Sequence, residues 1–294
     1  MNHKIFRSDL FKHIDGIALI APLACIFKKN NKILNSITSL EPFIITKKDL
    51  ELNSINGDYL NVTLRLFELQ GWIERKLINN NSIKVKTTNN GLEIFKNLKF
   101  YNIFFGFYSY LSELTFCNKK TYVKLTELLN EFEALENNTG NKIILKHIEG
   151  LILGTVLVSL SMEKHIKFDT NNKIKLTSEI GPENQSFIIK LFKKFQFLHN
   201  GNLTEKGLFF CNRSAAYGVT VSYMPLFTKI ETLLFGNTSN ILSRDKNGHE
   251  LHVNRKMNVW GSGGAHKLYF KKIDEIIIEI FNGQIDKQPK GIAD

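Results

Sequence analysis

Arginine is scarce in this chain and cysteine scarcer. Six arginines, Arg7, Arg65, Arg75, Arg213, Arg244 and Arg255, stand far apart, and no arginine-rich block forms. Arginine is the side chain whose fork bonds two acceptors at once, so its scarcity argues against specific recognition of nucleic acid. The net charge of +11 comes instead from lysine, in a chain heavy in Asn, Lys and Ile together. Charge alone favours an acidic partner of any kind and selects none. The three cysteines, Cys25, Cys117 and Cys211, are widely separated and odd in number. That excludes a disulfide framework and a zinc knuckle, and it points to a reducing interior. No uninterrupted apolar run approaches the roughly 18–20 residues of a membrane span. The best candidate, Ile17 to Phe27, carries Pro22 and closes on Lys28 and Lys29. Met1 to Asp15 mixes Lys, Arg, Asp and His, unlike a secretory signal. A soluble, cytoplasmic protein with no membrane partner is expected.

What the chain does have is a core. Its 23 Phe and 8 Tyr, within 43% hydrophobic residues, exclude disorder as the main state. At roughly 150 residues per domain, 294 residues suggest about two domains. Ile17 to Ile37 is apolar at helical spacing. Thr46 reads as the cap of a short helix, and Asn56-Gly57-Asp58 as a turn into a helix over Tyr59 to Gln70 that Gly71 ends. Trp72 to Lys76 and Ser82 to Lys86 read as strands around Asn79-Asn80-Asn81, and Thr88-Asn89-Asn90-Gly91 opens another helix. Helix, helix, helix, strand, turn, strand is the winged-helix order.

The pattern returns. Phe187 to Phe195 is apolar at helical spacing, Phe197-Leu198 begins a strand, His199-Asn200-Gly201 turns, and Thr204-Glu205-Lys206-Gly207 opens a helix. A strand pair, Ile166 to Phe168 and Lys173 to Leu176, precedes it. Tyr101 to Cys117 and Lys120 to Asn138 read as helices joining the two units. The aromatic density over Phe100 to Tyr110 reads as core, since it lacks the interleaved arginine of a stacking platform.

From Ala215 onward the character changes. Gly218 to Pro225 leads into a helix through Phe235, and Tyr269 to Phe281 reads as a helix with Ile273, Ile276, Ile277 and Ile280 inward. Gly261-Ser262-Gly263-Gly264 is the one glycine cluster. It reads either as a loop whose backbone approaches an anion or nucleotide or as a plain flexible connection, and it matches neither G-x-G-x-x-G nor a P-loop. His266 is a base, a ligand or a structural residue. His249 and His252 lie close together without an acidic ligand set, so no metal is expected. Ser262 lacks the context of a triad serine.

Pro289-Lys290-Gly291-Ile292-Ala293-Asp294 after a helix resembles the lead-in to a class I S-adenosylmethionine-dependent methyltransferase, whose first strand ends in an acid before a glycine-rich loop. Asn258 to His266, with the Tyr269-Phe270 helix behind it, is similar to the stretch before that strand in methyltransferases of the polyketide type. The resemblance implies a mainly α (α+β) fold. Residues 1–110 would form a winged-helix-like lid unit and residues 111–214 a second, degenerate one. Residues 215–294 would form a helical linker and the first strand of a truncated Rossmann-type core. It implies S-adenosylmethionine as cofactor near Ser262, Gly263, Gly264 and Asp294, with His266 and Tyr223 as catalytic candidates. The implied partners are a small-molecule or acyl-carrier-bound substrate and the methyltransferase core beyond Asp294, with homodimerisation open. Without that core the chain should not hold the cofactor alone. The alternative is a tandem winged-helix transcription regulator with Tyr59 to Gln70 and Phe187 to Phe195 as recognition helices. The first offers one arginine beside Glu68, and the second offers Lys190, Lys193 and Lys194 for phosphates.

Overall fold

In a computed structural model, which describes residues 2–29 and 31–291, the chain is mainly helical with three small antiparallel sheets. Helices α1 (Asn2–Lys28), α2 (Lys32–Ser36), α3 (Lys47–Leu52) and α4 (Gly57–Leu69) accompany strands β1 (Phe43–Thr46), β2 (Ile73–Asn79) and β3 (Ser82–Thr87). These strands pair in the order β1-β3-β2, and β1 is a strand that the sequence pattern had not indicated. Helices α5 (Asn89–Phe95), α6 (Leu98–Phe105), α7 (Tyr108–Leu111), α8 (Thr121–Asn138) and α9 (Lys142–Met162) follow. The hairpin β4 (Ile166–Phe168)–β5 (Ile174–Leu176), helix α10 (Pro182–Lys194), the two-residue strands β6 (Leu198–His199) and β7 (Asn202–Leu203), and α11 (Glu205–Cys211) form a second unit. The C-terminal part holds α12 (Ala215–Ser222), α13 (Met224–Phe227), α14 (Ile230–Phe235) and the long α15 (Arg255–Phe281).

The two winged units share a local device. Gly71 takes a φ of 70° after α4, and Gln196 takes 62° after α10. Thr88 Oγ1 accepts from Gly91 N at 3.1 Å and donates to Gly71 O at 2.8 Å. Thr204 Oγ1 likewise accepts from Gly207 N at 3.0 Å and donates to Gln196 O at 2.7 Å. A Cβ on Gly91 would overlap the Trp72 carbonyl, and one on Gly207 the Phe197 carbonyl. The Thr-x-x-Gly pattern is therefore a helix cap pressed against the first strand of each wing.

Several expectations fail locally. Ile17 to Ile37 is two helices, because the Asn31 side chain accepts from Ile33 N and Leu34 N and starts a new one. Pro22 does not stop α1. Tyr108 donates to Ile17 O at 2.6 Å in the turn before the proline, next to Ala18, whose carbonyl is the one that Pro22 leaves without a helical N–H. The helix expected over Tyr101 to Cys117 is two short ones, and that expected from Gly218-Pro225 to Phe235 is α13 and α14 with a break. Ile273, Ile276 and Ile280 are exposed by 46%, 48% and 46% instead of facing inward. The Rossmann-type strand expected at Ile292 to Asp294 lies outside the described residues.

The centre is a crossing of α1 and α9. The sequence carries His13-Ile14-Asp15-Gly16 in one and His147-Ile148-Glu149-Gly150 in the other. A Cβ on Gly16 would overlap the backbone of His147, and a Cβ on Gly150 would overlap that of His13. Each histidine is fully buried and bonds a tyrosine of the opposite half. His13 Nδ1 lies 2.8 Å from Tyr217 Oη, and His147 Nδ1 lies 2.9 Å from Tyr101 Oη. These two helices are, among the described residues, long and apolar enough to cross a membrane, contrary to the expectation that no segment is. Their apolar windows are 67% and 83% buried inside the fold, so mutual packing accounts for their hydropathy.

Burial disfavours charge on both imidazoles, and it lowers His147 to about 3. Burial would by itself raise the Glu149 carboxyl; His13 at 3.6 Å, Lys146 at 2.7 Å and Lys206 at 3.4 Å outweigh it and hold the group down at about 2. Both shifts act in the same direction on folding. Each contribution is complete above the group's ordinary value, about 6.5 for His and about 4.3 for Glu, and is lost as pH falls toward the folded-state value. Urea midpoints should therefore decline from below about pH 6.5 and more steeply below about pH 4.3. A midpoint constant between those values would show that the histidines are not held neutral. Gly16→Ala or Gly150→Ala should cost about 3 kcal/mol of stability through overpacking, measured by the same titration.

Candidate functional site

Helix α15 has two parts. Its root packs antiparallel on α12 through small residues. Gly218 and Gly261 approach so closely that a Cβ on Gly218 would lie 2.7 Å from Gly261 Cα, and Gly264 meets Ala215. Asn258 Nδ2 donates to Ser222 Oγ at 3.1 Å, and Asn254 N donates to Ser222 O at 2.9 Å. The Asn254 side chain caps the helix by accepting from Met257 N at 3.0 Å. The glycine cluster is thus neither an anion-binding loop nor a flexible one. Gly261 and Gly264 let two helices touch, and their backbone N–H groups belong to the helix.

Beyond the root, α15 presents apolar side chains to solvent. Tyr269, Phe270, Ile273, Ile276 and Ile280 are all exposed, and their i, i+3, i+4, i+7 spacing gives one apolar face. His266 sits on that face, with its ring edge-on to Tyr269 at 6.3 Å and to Phe270 at 5.9 Å. Ser262 Oγ is 3.5 Å from His266 Nδ1, one turn away. Gly263 faces open space. Asp294 lies outside the described residues.

Tyr223 is elsewhere. It follows α12 at the start of α15, within electrostatic reach of Arg255. His266 is eleven residues along the same helix, about 16 Å away in rise. The structure therefore does not bring these two candidates together. Arg255 also lines an open cleft of about 630 Å³, together with Ser109, Glu113, Lys229, Arg244 and Glu250 among others; Tyr223 is not one of its lining residues. Arg255 Nε donates to Glu250 Oε2 at 2.6 Å, and Arg244 lies 3.7 Å from Glu250 Oε1. The Arg255 hydrogen bond holds the Glu250 carboxyl below its usual range. With Lys229 and Lys256 also at its wall, the cleft has an excess of positive charge. Sequence reading missed this cleft. Its signal was there in two of the six arginines flanking Glu250, but only folding brings them against Ser109 and Lys229.

Some of the side chains that a DNA reader would use are engaged internally, whereas Arg65, Lys190 and Lys193 stay exposed. Arg75 donates to Asn61 Oδ1 at 2.8 Å and pairs Glu68 at 2.7 Å on α4, and Lys194 of α10 pairs Glu136 at 2.6 Å. No group of three or more His, Cys, Asp or Glu among the described residues could hold a metal ion.

Three family models match the chain in succession. The AprA N-terminal domain matches residues 6–75, the AprA winged helix domain residues 149–237, and the AprA MT2-like domain residues 250–294. No curated protein matches. The chain is thus similar to AprA domains over three segments, the last of them to a methyltransferase-like domain. The winged-helix match runs from within α9 through β4, β5, α10, β6, β7 and α11 to just past α14, and the MT2-like match begins at Glu250 in the cleft.

If the root glycines are a packing device, Gly261→Ala should loosen α15 and cost about 2 kcal/mol. Gly263→Ala should be neutral or stabilising by up to about 1 kcal/mol, the helix propensity difference. Equal effects of the two substitutions in urea unfolding would contradict the close-contact account.

Proposed function

We propose that the chain is the lid and substrate-binding part of an S-adenosylmethionine-dependent methyltransferase that acts on a carbon or oxygen of a small or carrier-bound metabolite, such as a polyketide thioester. The observation that carries this reading is the coincidence of the MT2-like match with α15, a helix anchored at its root with an uncovered apolar face on its outer half. A Rossmann-type core covering that face would give Tyr269, Ile273, Ile276 and Ile280 the buried partners they lack. It would also bring His266 to the junction.

Of the four residues that the resemblance assigned to the cofactor, the three in α15 fit it poorly. Ser262, Gly263 and Gly264 lie within a helix, so their N–H groups are not free to bond a ligand, and Gly264 abuts Ala215. S-adenosylmethionine would supply the methyl group when bound. The chain's own contribution is to bind and orient the acceptor. In the proposed arrangement Tyr223 acts on the basic cleft through Arg255, and Arg244, Arg255 and Lys229 suit a substrate with an anionic group. Tyr223 and His266 then serve separate surfaces, the cleft and the core junction.

Calorimetry with S-adenosylmethionine tests the division of labour. Residues 1–294 alone should show no binding, because a few contacts from one wall do not overcome the cost of immobilising a flexible ligand. A polypeptide carrying these residues followed by a Rossmann-type core should bind it. Micromolar binding by residues 1–294 would mean that the site is complete here. No binding by the longer form would remove the methyltransferase assignment.

A further inference from the structure

Away from the cleft and from α15, the loop between α7 and α8 carries the only exposed free cysteine among the described residues, Cys117. Its Sγ lies 3.6 Å from Nε2 of His165, a side chain 2% exposed at the end of α9. The other ring nitrogen, Nδ1, lies 3.0 Å from Thr177 Oγ1 and 3.4 Å from Glu179 Oε2. A carboxylate can only accept, so it favours the tautomer with the proton on Nδ1 and leaves the Nε2 lone pair facing the thiol. A thiol beside a base that a third group orients is the arrangement of an activated nucleophile.

The loop is held for this. Asn184, 1% exposed, donates from one amide to the carbonyls on both sides of the cysteine, Phe116 O and Asn118 O, each at 2.9 Å, and accepts from Tyr122 N at 2.8 Å. Thr121 donates to Thr115 O at 2.6 Å, and Ser159 donates to Leu114 O at 3.1 Å. Five carbonyl and amide groups around one exposed sulfur are fixed by side chains from α8, α9 and α10. The other two thiols are buried, and burial raises Cys25 to about 11 and Cys211 to about 12.

We infer that Cys117 is a base-assisted nucleophile and a site of S-thiolation by small-molecule disulfides. In the step, the Cys117 thiol gives its proton to His165 Nε2 while its sulfur attacks one sulfur of the disulfide. The disulfide S–S bond breaks, and its second sulfur leaves with the electron pair and takes the proton from the imidazolium. Cys117 ends oxidised in a mixed disulfide, and one half of the small molecule ends reduced as a thiol. Acyl transfer fits less well. It needs N–H donors for an oxyanion, and the Cys117 N–H is directed at Thr115 Oγ1 at 3.4 Å. Disulfide exchange needs only an accessible, activated sulfur.

The test is incubation with glutathione disulfide at neutral pH, followed by intact mass and peptide mapping. One glutathionyl group should appear, on Cys117, with Cys25 and Cys211 unmodified, and Cys117→Ser should abolish it. His165→Gln should slow the reaction about tenfold at pH 7, and the difference should shrink above about pH 8.5, where an ordinary thiol ionises unaided. Glu179→Gln, at an exposed position, should slow it less and leaves the fold intact should His165→Gln destabilise it. Modification of Cys25 or Cys211 at a similar rate would overturn the proposal. So would wild-type rates at pH 7 in His165→Gln, or, where that variant does not fold, in Glu179→Gln combined with Thr177→Val.

Discussion

Everything else in the fold is arranged around one close contact, the crossing of α1 and α9 at Gly16 and Gly150. Each glycine admits the backbone of the other helix's histidine, so neither helix can shift without a clash. A glycine inside a helix costs up to about 1 kcal/mol relative to alanine. Here that cost is offset by packing two long apolar helices at contact distance. The crossing also decides which half each histidine serves. His13 of the first half reaches Tyr217 of the second, and His147 of the second reaches Tyr101 of the first. The two winged units are thereby locked through the centre and not merely joined in sequence. The symmetry is incomplete in its charges. Glu149 sits in a buried cluster with Lys146 and Lys206, whereas its counterpart Asp15 accepts a hydrogen bond from Gln70, and burial raises its carboxyl.

The winged units were legible because their determinants are local. A threonine cap, a glycine three residues on and a turn before the strand all act within a few residues, so Thr88-Gly91 and Thr204-Gly207 were visible in both copies. Helix α9 was not legible. From Ile144 to Leu160 it is buried on nearly every side, and a helix without a solvent face shows no 3.6-residue period to read. The same reason hid the meaning of the repeated His-Ile-acid-Gly tetrapeptides. Their role lies in a contact between residues more than 130 positions apart, and no local rule predicts such a contact.

The C-terminal region failed in the opposite way, through a strong local signal with a tertiary cause. Three glycines in four residues favour a loop by intrinsic preference. In the structure two of them meet Gly218 and Ala215, and the contact selects the helix that propensity disfavours. The isoleucines beyond were expected inward because apolar periodicity normally marks a buried stripe. The periodicity was read correctly, but the surface that would bury it is not among the described residues. The catalytic candidates fared according to their dependence on this helix. Tyr223 lies apart from the outer half, within electrostatic reach of Arg255, whereas the glycines lost the backbone exposure that their assignment required.

The division of α15 into a rooted half and an uncovered half has a physical consequence for function. Starting a helix is the costly step, and extending one adds a hydrogen bond for each residue fixed. The root on α12, capped by Asn254, supplies that start, so the outer half continues as a helix while its apolar face is still open. Among its described residues Lys272 pairs Glu275 at 2.8 Å, and Gln288 bonds Phe281 O at the far end. A partner that covers Tyr269 to Ile280 therefore meets a surface already in its bound shape and loses little conformational entropy in binding it. Because the root and the cleft share Asn254 and Arg255, any tilt that the partner imposes on the outer half is transmitted along a single rigid element to the cleft. In the methyltransferase reading, that makes α15 the lever between the cofactor side and the acceptor side. The small-residue contacts at Gly218 and Gly261 are the fulcrum that keeps the lever from slipping.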